Sequence, residues 1–298
     1  MRHFLSVDDL SAAELARVLE LAQLTAAPPV LDGRGVALVF EKPSARTRNS
    51  SEMAVFQLGG HPVSIRGEEV GFDRRESVED VTRTLSQYHA AIGARVFDHK
   101  VLERMAAVSP VPVINLLSDV GHPCQALADL LTMQQHFGRL AGLTLAWVGD
   151  GNNVCRSLIL AASVVGMDVT AACPSGFEPD LGTVELARSR GISVTVTDDV
   201  GAAARGADVV STDTWISMGQ EGEEAGRRSA FRGYTVDSSV MALAAPGAAF
   251  LHCLPAHRGD EVTAEVIDGP QSMIWPQAAN RMHVFRGLLL FLLGTSGL

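Results

Sequence analysis

Short apolar runs recur along the chain, separated by longer stretches with helical spacing, and this alternation predicts crossover units built on parallel sheets. A first series of strands is expected at 36–40, 62–65, 91–97 and 111–116, and a second at 143–149, 167–173, 192–196, 207–212 and 248–254. Between the two series lies QQHFGRLAG (134–142), in which Gly138 can end a helix and Gly142 precedes the next strand, so the hinge is placed there. Near the C-terminus, Met282, Phe285, Leu288, Leu289 and Leu292 fall at helical intervals. The expected fold class is α/β, with two parallel-sheet α/β domains (1–137 and 138–275), a cleft between them, and a C-terminal helix (276–298) packing back on the N-terminal domain. Ligands in such sheets bind where strands end and helices begin.

Composition narrows the partners. A chain of 298 residues with 47% hydrophobic side chains can bury two cores, and its formal charge of −10 argues against nucleic acid. The N-terminal stretch lacks a long apolar run, and Leu288–Leu293 is far below the ~20 residues needed to span a bilayer, so a soluble, cytoplasmic protein is expected. Four cysteines without a Cys-x-x-Cys or His/Cys cluster imply reduced thiols and no zinc site.

Against this acidic background KPSARTRNS (42–50) concentrates Lys42, Arg46 and Arg48 between a strand and a helix. The free N–H groups of a first helical turn bind anions, and Ser44, Arg46 and Thr47 add donors; Arg46 and Arg48 point apart, so one of them faces a ligand. The same residues also fit a capped helix with solvated charges. Arg95 inside an apolar strand requires an anion or a strand end at the cleft. His122 and Gln125 of GHPCQALADL reach a third strand end, where lone histidines are more often structural, yet three donors at successive strand ends match an oxyanion that develops in a transition state.

The second half offers different groups. VGDGNNVCRS (148–157) has Gly149 and Gly151 after a strand, but Val154 replaces the third glycine of a dinucleotide loop and no acid ends the next strand. Asn152 and Asn153 instead fit an amino-acid carboxylate. Asp213 at a strand end can take an ammonium, or be a solvated loop acid, and the glycine-rich stretch after it has the composition of a lid. Cys253, at another strand end before His257 and Arg258, has no recognisable relay that would make it a covalent nucleophile.

SARTR (44–48), HPCQ (122–125), DTWISMG (213–219) and HCLPAHRG (252–259), in this order, resemble the ornithine carbamoyltransferases. The resemblance implies a trimer, or multiple of trimers, of two-domain subunits with active sites near subunit interfaces. It also implies transfer of the carbamoyl group of carbamoyl phosphate to the δ-amine of L-ornithine without metal or organic cofactor. Ser44, Ala45 through its backbone, Arg46 and Thr47 would hold phosphate, while Arg95, His122 and Gln125 would polarise the carbamoyl group and Arg281 would reach its carbonyl. Asn153 would face the ornithine carboxylate, and Asp213 and Ser217, with Met218 beside them, its α-ammonium; Cys253 and Leu254 would line the δ-amine region. On this resemblance Arg95, His122, Asp213 and Cys253 would carry the catalytic roles.

Two departures stand out. The family usually has Thr at the position of Ala45, and a Gln in the loop corresponding to 66–77, where a neighbouring subunit's loop completes the site; this chain has none there. A carbamoyltransferase with another amine acceptor, and a ligand-binding homologue without turnover, are the alternatives.

Overall fold

The computed structural model describes residues 1–216, 222 and 224–294. The chain divides into two compact units, Met1–Ala128 with Ala279–Leu298, and Asp129–Ala278. The sequence places boundaries at helix ends, 137/138 and 275/276. The units divide inside the helices Pro123–Phe137 and Ile274–Leu292, because each helix runs on from one unit into the next.

In the first unit β1 (Gly35–Phe40), β2 (His61–Arg66), β3 (His89–Arg95) and β4 (Val113–Leu117) form a parallel sheet in the order β2-β1-β3-β4. β1, β3 and β4 are nearly continuous buried runs, as in a covered parallel sheet, whereas the edge strand β2 is only partly buried. The helix Val78–Tyr88 shows how one cover forms: the Ser77 hydroxyl caps it by accepting from Asp80 N–H at 3.1 Å, and Val78, Val81, Thr82 and Leu85 fall on the buried stripe. The terminal helix buries Val284, Phe285, Leu288 and Leu289. At its crossing of the helix Ala12–Ala22 a Cβ on Gly287 would lie 2.6 Å from the Val18 carbonyl oxygen, so only glycine fits. The preceding residue, Arg286, donates to Gln57 Oε1 and the Ala22 carbonyl, both at 2.9 Å. These bonds hold the C-terminal helix against the first unit.

In the second unit β5 (Thr144–Val148), β6 (Asp168–Ala172), β7 (Val194–Thr197), β8 (Val209–Thr212) and β9 (Ala249–His252) form a parallel sheet ordered β7-β6-β5-β8-β9. Phe231, Val236, Phe250 and Val262 belong to the core on one of its faces. In each unit the chain winds outward in two directions from a central pair, β1/β3 and β5/β8. Crossovers leaving in opposite directions open a crevice at the carboxyl ends of that pair, where ligands of such sheets bind. The segments after β1 and β3, and after β5 and β8, carry the residues that the sequence singles out.

Candidate active site

In the first unit the loop after β1 turns into the helix Ala45–Gln57, whose N-cap is Ser44. The Ser44 hydroxyl accepts from Thr47 N–H at 3.2 Å. Arg95, the last residue of β3, pairs in register with Phe40 of β1 and sends Nη1 to Thr47 Oγ1 at 3.3 Å and Ser44 Oγ at 3.4 Å. An arginine at the end of a buried strand is therefore spent on the cap of the neighbouring strand's helix, and the positive helix terminus and a guanidinium face the same place. Ala45 and Arg46 are exposed in the first turn, whereas Arg48 turns away to bond Glu52 at 2.8 Å. Of the two arginines, Arg46 is the one left to the crevice. Lys42 lies over the Phe97 ring, 4.5 Å from its centre.

His122 follows β4, with Gln125 one helical turn on, and both are buried. Burial holds the His122 pKa well below its usual value, and the positive charges of Arg281, Arg95 and Arg46 push it the same way. Three guanidiniums thus act on one neutral imidazole. Arg281 is 7% exposed, yet its Nη1 is a buried donor without an acceptor among the described residues. A buried N–H is costly to leave unmade, so this atom marks a place for an oxygen from outside the chain. Arg281 also bonds the thiol of Cys124, which burial pushes up to about 11 and keeps protonated; that thiol donates to the Asn115 carbonyl at 3.4 Å. Ser44, Ala45, Arg46, Thr47, Arg95, His122, Gln125 and Arg281 all belong to this unit. Hydrogen bonds and charge link most of them, and together they concentrate donors and positive charge of the kind that can take a small anion.

In the second unit the helix Asn153–Val165 starts after β5. Its N-cap Asn152 accepts from Val154 N–H at 2.9 Å and Cys155 N–H at 3.1 Å, and donates its amide to Asp213 Oδ2 at 2.9 Å. Asp213 follows β8 and is 6% exposed; its other oxygen accepts the Cys253 thiol at 3.1 Å. Asn152, Asp213 and Cys253, from the ends of β5, β8 and β9, therefore converge on one carboxylate. Asn153 and Leu254 are half-buried beside them in the chain. Ser217 and Met218 lie outside the described residues.

Leu254 sits at φ 61°, a left-handed conformation that costs a non-glycine residue roughly 1–2 kcal/mol, and its N–H donates to His252 Nδ1 at 2.9 Å. His252 Nε2 faces the buried carboxylate of Glu261 at 3.3 Å. Asp213, His252 and Cys253 place potential ligand atoms within 4.8 Å of one another. Because both ring nitrogens of His252 are already engaged, these three do not form an open metal ligand set.

Two further features escaped the sequence reading. Arg227 is 5% exposed and makes an ion pair with Asp150, two residues before Asn152; its Nε also donates to the Trp215 carbonyl, two residues after Asp213, at 2.6 Å. Burial raises the Asp150 pKa, Arg227 opposes that shift, and the charge of Asp213 adds to it. Removing one member of such a buried pair typically costs about 3–5 kcal/mol. The signal was faint because Arg227 looks like one more charge in the polar run GEEAGRRS. Gly151, read as part of a failed dinucleotide motif, is required by packing, since a Cβ there would meet Pro179 N at 2.3 Å and the Glu178 carbonyl carbon at 2.4 Å.

A donor-rich, positively charged strand end on one parallel α/β unit and a buried carboxylate held at the strand ends of a second fit a transferase of small charged groups. The aspartate/ornithine carbamoyltransferase carbamoyl-P binding domain matches residues 2–135, and the Asp/Orn binding domain of the same family matches residues 141–292. The chain belongs to the aspartate/ornithine carbamoyltransferase family. It is 51% identical to an ornithine carbamoyltransferase of Acidothermus cellulolyticus over 306 aligned positions, covering 100% of this chain and 98% of that protein. Among solved structures it resembles ornithine carbamoyltransferases of Pyrococcus furiosus (TM-score 0.94, 43% identity, 99% and 97% of the two chains) and Thermus thermophilus (TM-score 0.90, 43% identity, 97% and 98%).

Proposed function

We propose that this chain transfers the carbamoyl group of carbamoyl phosphate to the δ-amine of L-ornithine, giving L-citrulline and phosphate. The observation that carries the choice of acceptor is the buried Asp213 carboxylate, held between the Asn152 amide and the Cys253 thiol. A fixed negative charge selects an amine-bearing substrate with a free α-ammonium; an acceptor whose own side chain is a carboxylate would be repelled.

The phosphate is held by the N-terminal turn of Ala45–Gln57, with Ser44, Thr47 and Arg46 as donors. Arg95, His122, Gln125 and Arg281 bond the carbamoyl oxygen and grip it more strongly as it becomes an oxyanion. An amine of this kind has a reference pKa near ~10.4, so the δ-amine must shed a proton before it attacks. Asp213 and Cys253 bind the ammonium end and orient the neutral δ-nitrogen, whose lone pair adds to the carbamoyl carbon. The C–O bond then breaks, its electron pair leaves with phosphate, and the nitrogen gives up its second proton. Positioning and charge supply the rate.

The working protein is proposed to be a cytoplasmic homotrimer in which a neighbouring subunit's 66–77 loop meets the phosphate seat. Arg104, which pairs with Asp73 within that loop and with Glu79 in the first turn of the helix after it, supports a fixed shape for it. Among the described residues no helix is long and apolar enough to cross a membrane. Citrulline formation measured with ornithine, N-acetylornithine, putrescine and aspartate tests the reading. Ornithine should dominate, and a panel led by another amine overturns it.

A further inference from the structure

Arg227 joins three loops of the second unit, two of which, after β5 and β8, carry the amino-acid half-site. Its Nη2 pairs with Asp150 in the loop after β5, and its Nε donates to the Trp215 carbonyl in the loop after β8 at 2.6 Å. Its guanidinium carbon lies 4.8 Å from the centre of the Phe177 ring, in the loop after β6, and 5.3 Å from that of Phe231. Gly151 N–H donates to the Phe177 carbonyl at 2.8 Å, closing the loop after β5 onto the loop after β6. The planar fork suits this work: one edge meets a carboxylate, Nε meets a carbonyl, and the faces meet rings. An ammonium has no such plane.

Asp150 and Trp215 each stand two residues from a member of the Asn152–Asp213 pair, whose hydrogen bond is 2.9 Å. The spacing of that pair is thus set twice, once directly and once through Arg227. We infer that Arg227 is a positioning residue that holds Asn152 and Asp213 at the separation the amino-acid substrate requires, and so sets its affinity. This rests on the ornithine reading above.

The test uses the full chain carrying Arg227→Gln, Arg227→Lys or Asp150→Asn, with kcat, the two KM values and the melting midpoint measured for each. Arg227→Gln should raise KM for ornithine about tenfold or more, since misplacement of a binding group by ~1 Å costs up to about 10²-fold, while KM for carbamoyl phosphate stays within about twofold. Arg227→Lys keeps the charge beside Asp150 but loses the fork, and should fall between the two. The Arg227→Gln and Asp150→Asn effects on KM should be less than additive when combined. A folded Arg227→Lys or Asp150→Asn enzyme that melts earlier but keeps the parent KM for ornithine shows a role in stability alone and overturns the inference; these two variants decide if Arg227→Gln does not fold. A parent chain that makes no citrulline overturns the functional reading and this inference together, whereas parent turnover with unshifted variants overturns only this one.

Discussion

The thiol of Cys253 donates to Oδ1 of Asp213 at 3.1 Å, joining the ends of β9 and β8 across the sheet order of the second unit. A carboxylate held in this way is a fixed acceptor with little freedom to follow a misplaced ligand. On the proposed function, the acceptor half of the chemistry rests on a few hydrogen bonds within one unit.

Asp213→Ala should raise KM for ornithine by at least about tenfold and leave KM for carbamoyl phosphate nearly unchanged, whereas Arg46→Ala should do the reverse, with a loss of about 10²-fold or more in kcat/KM for carbamoyl phosphate. Steady-state kinetics with each substrate varied in turn checks the division. Equal losses for both substrates in both variants would sink it.

His122 should remain uncharged through the neutral range. Burial, then Arg281, Arg95 and Arg46, depress its pKa in the folded chain, so the unfolded chain takes up this proton first as pH falls. Its contribution to stability is therefore present in full above about 6.5 and declines below that value, until the folded pKa is reached. Histidine NMR spectra should show one imidazole with no titration between about pH 8 and 6, and His122→Asn should slow turnover without moving the acid limb of the pH profile.

Ala45→Thr should tighten carbamoyl phosphate. Ala45 is an exposed first-turn residue beside the Ser44 cap, so an added hydroxyl meets solvent and ligand rather than protein. A new hydrogen bond to a charged oxygen is worth about 1.5–3 kcal/mol at best, and a several-fold fall in KM for carbamoyl phosphate is expected. An unchanged or higher KM would show that the phosphate seat is complete without it.

Gly151→Ala should be costly to both stability and acceptor binding. The new methyl group would lie within 2.4 Å of backbone atoms of Glu178 and Pro179, where no flexible side chain can yield. A loss of about 1–3 kcal/mol or more in denaturant unfolding, with a raised KM for ornithine, is expected as the Asn152 loop shifts. A neutral result would mean that the segment around Pro179 moves freely.

All nine strands among the described residues overlap apolar runs visible in the sequence; central strands such as β1 and β5 are almost wholly buried, while the edge strands β2 and β7 keep polar positions but remain short and β-branched. The division between units was harder to see: Gly138 ends the helix Pro123–Phe137, but that helix already crosses from one unit to the other at Ala128/Asp129. A glycine reports where a helix stops and carries no information about which core the preceding turns pack on. Arg95 and Asp213 were legible because a charged residue at the end of an apolar strand is conspicuous. Arg227 was not, because its burial comes largely from Asp150 and Phe177, far away in sequence, which join its near neighbour Phe231 over an ordinary-looking polar run.

Asp129–Ala278 is one uninterrupted stretch of chain, whereas the first unit is assembled from two pieces that flank it. Evolution could thus replace the amine-recognising module as a single cassette, spliced at two points within helices, and keep the phosphate grip untouched. Chimeras that respect both helical registers are the natural way to retarget carbamoylation to new amines.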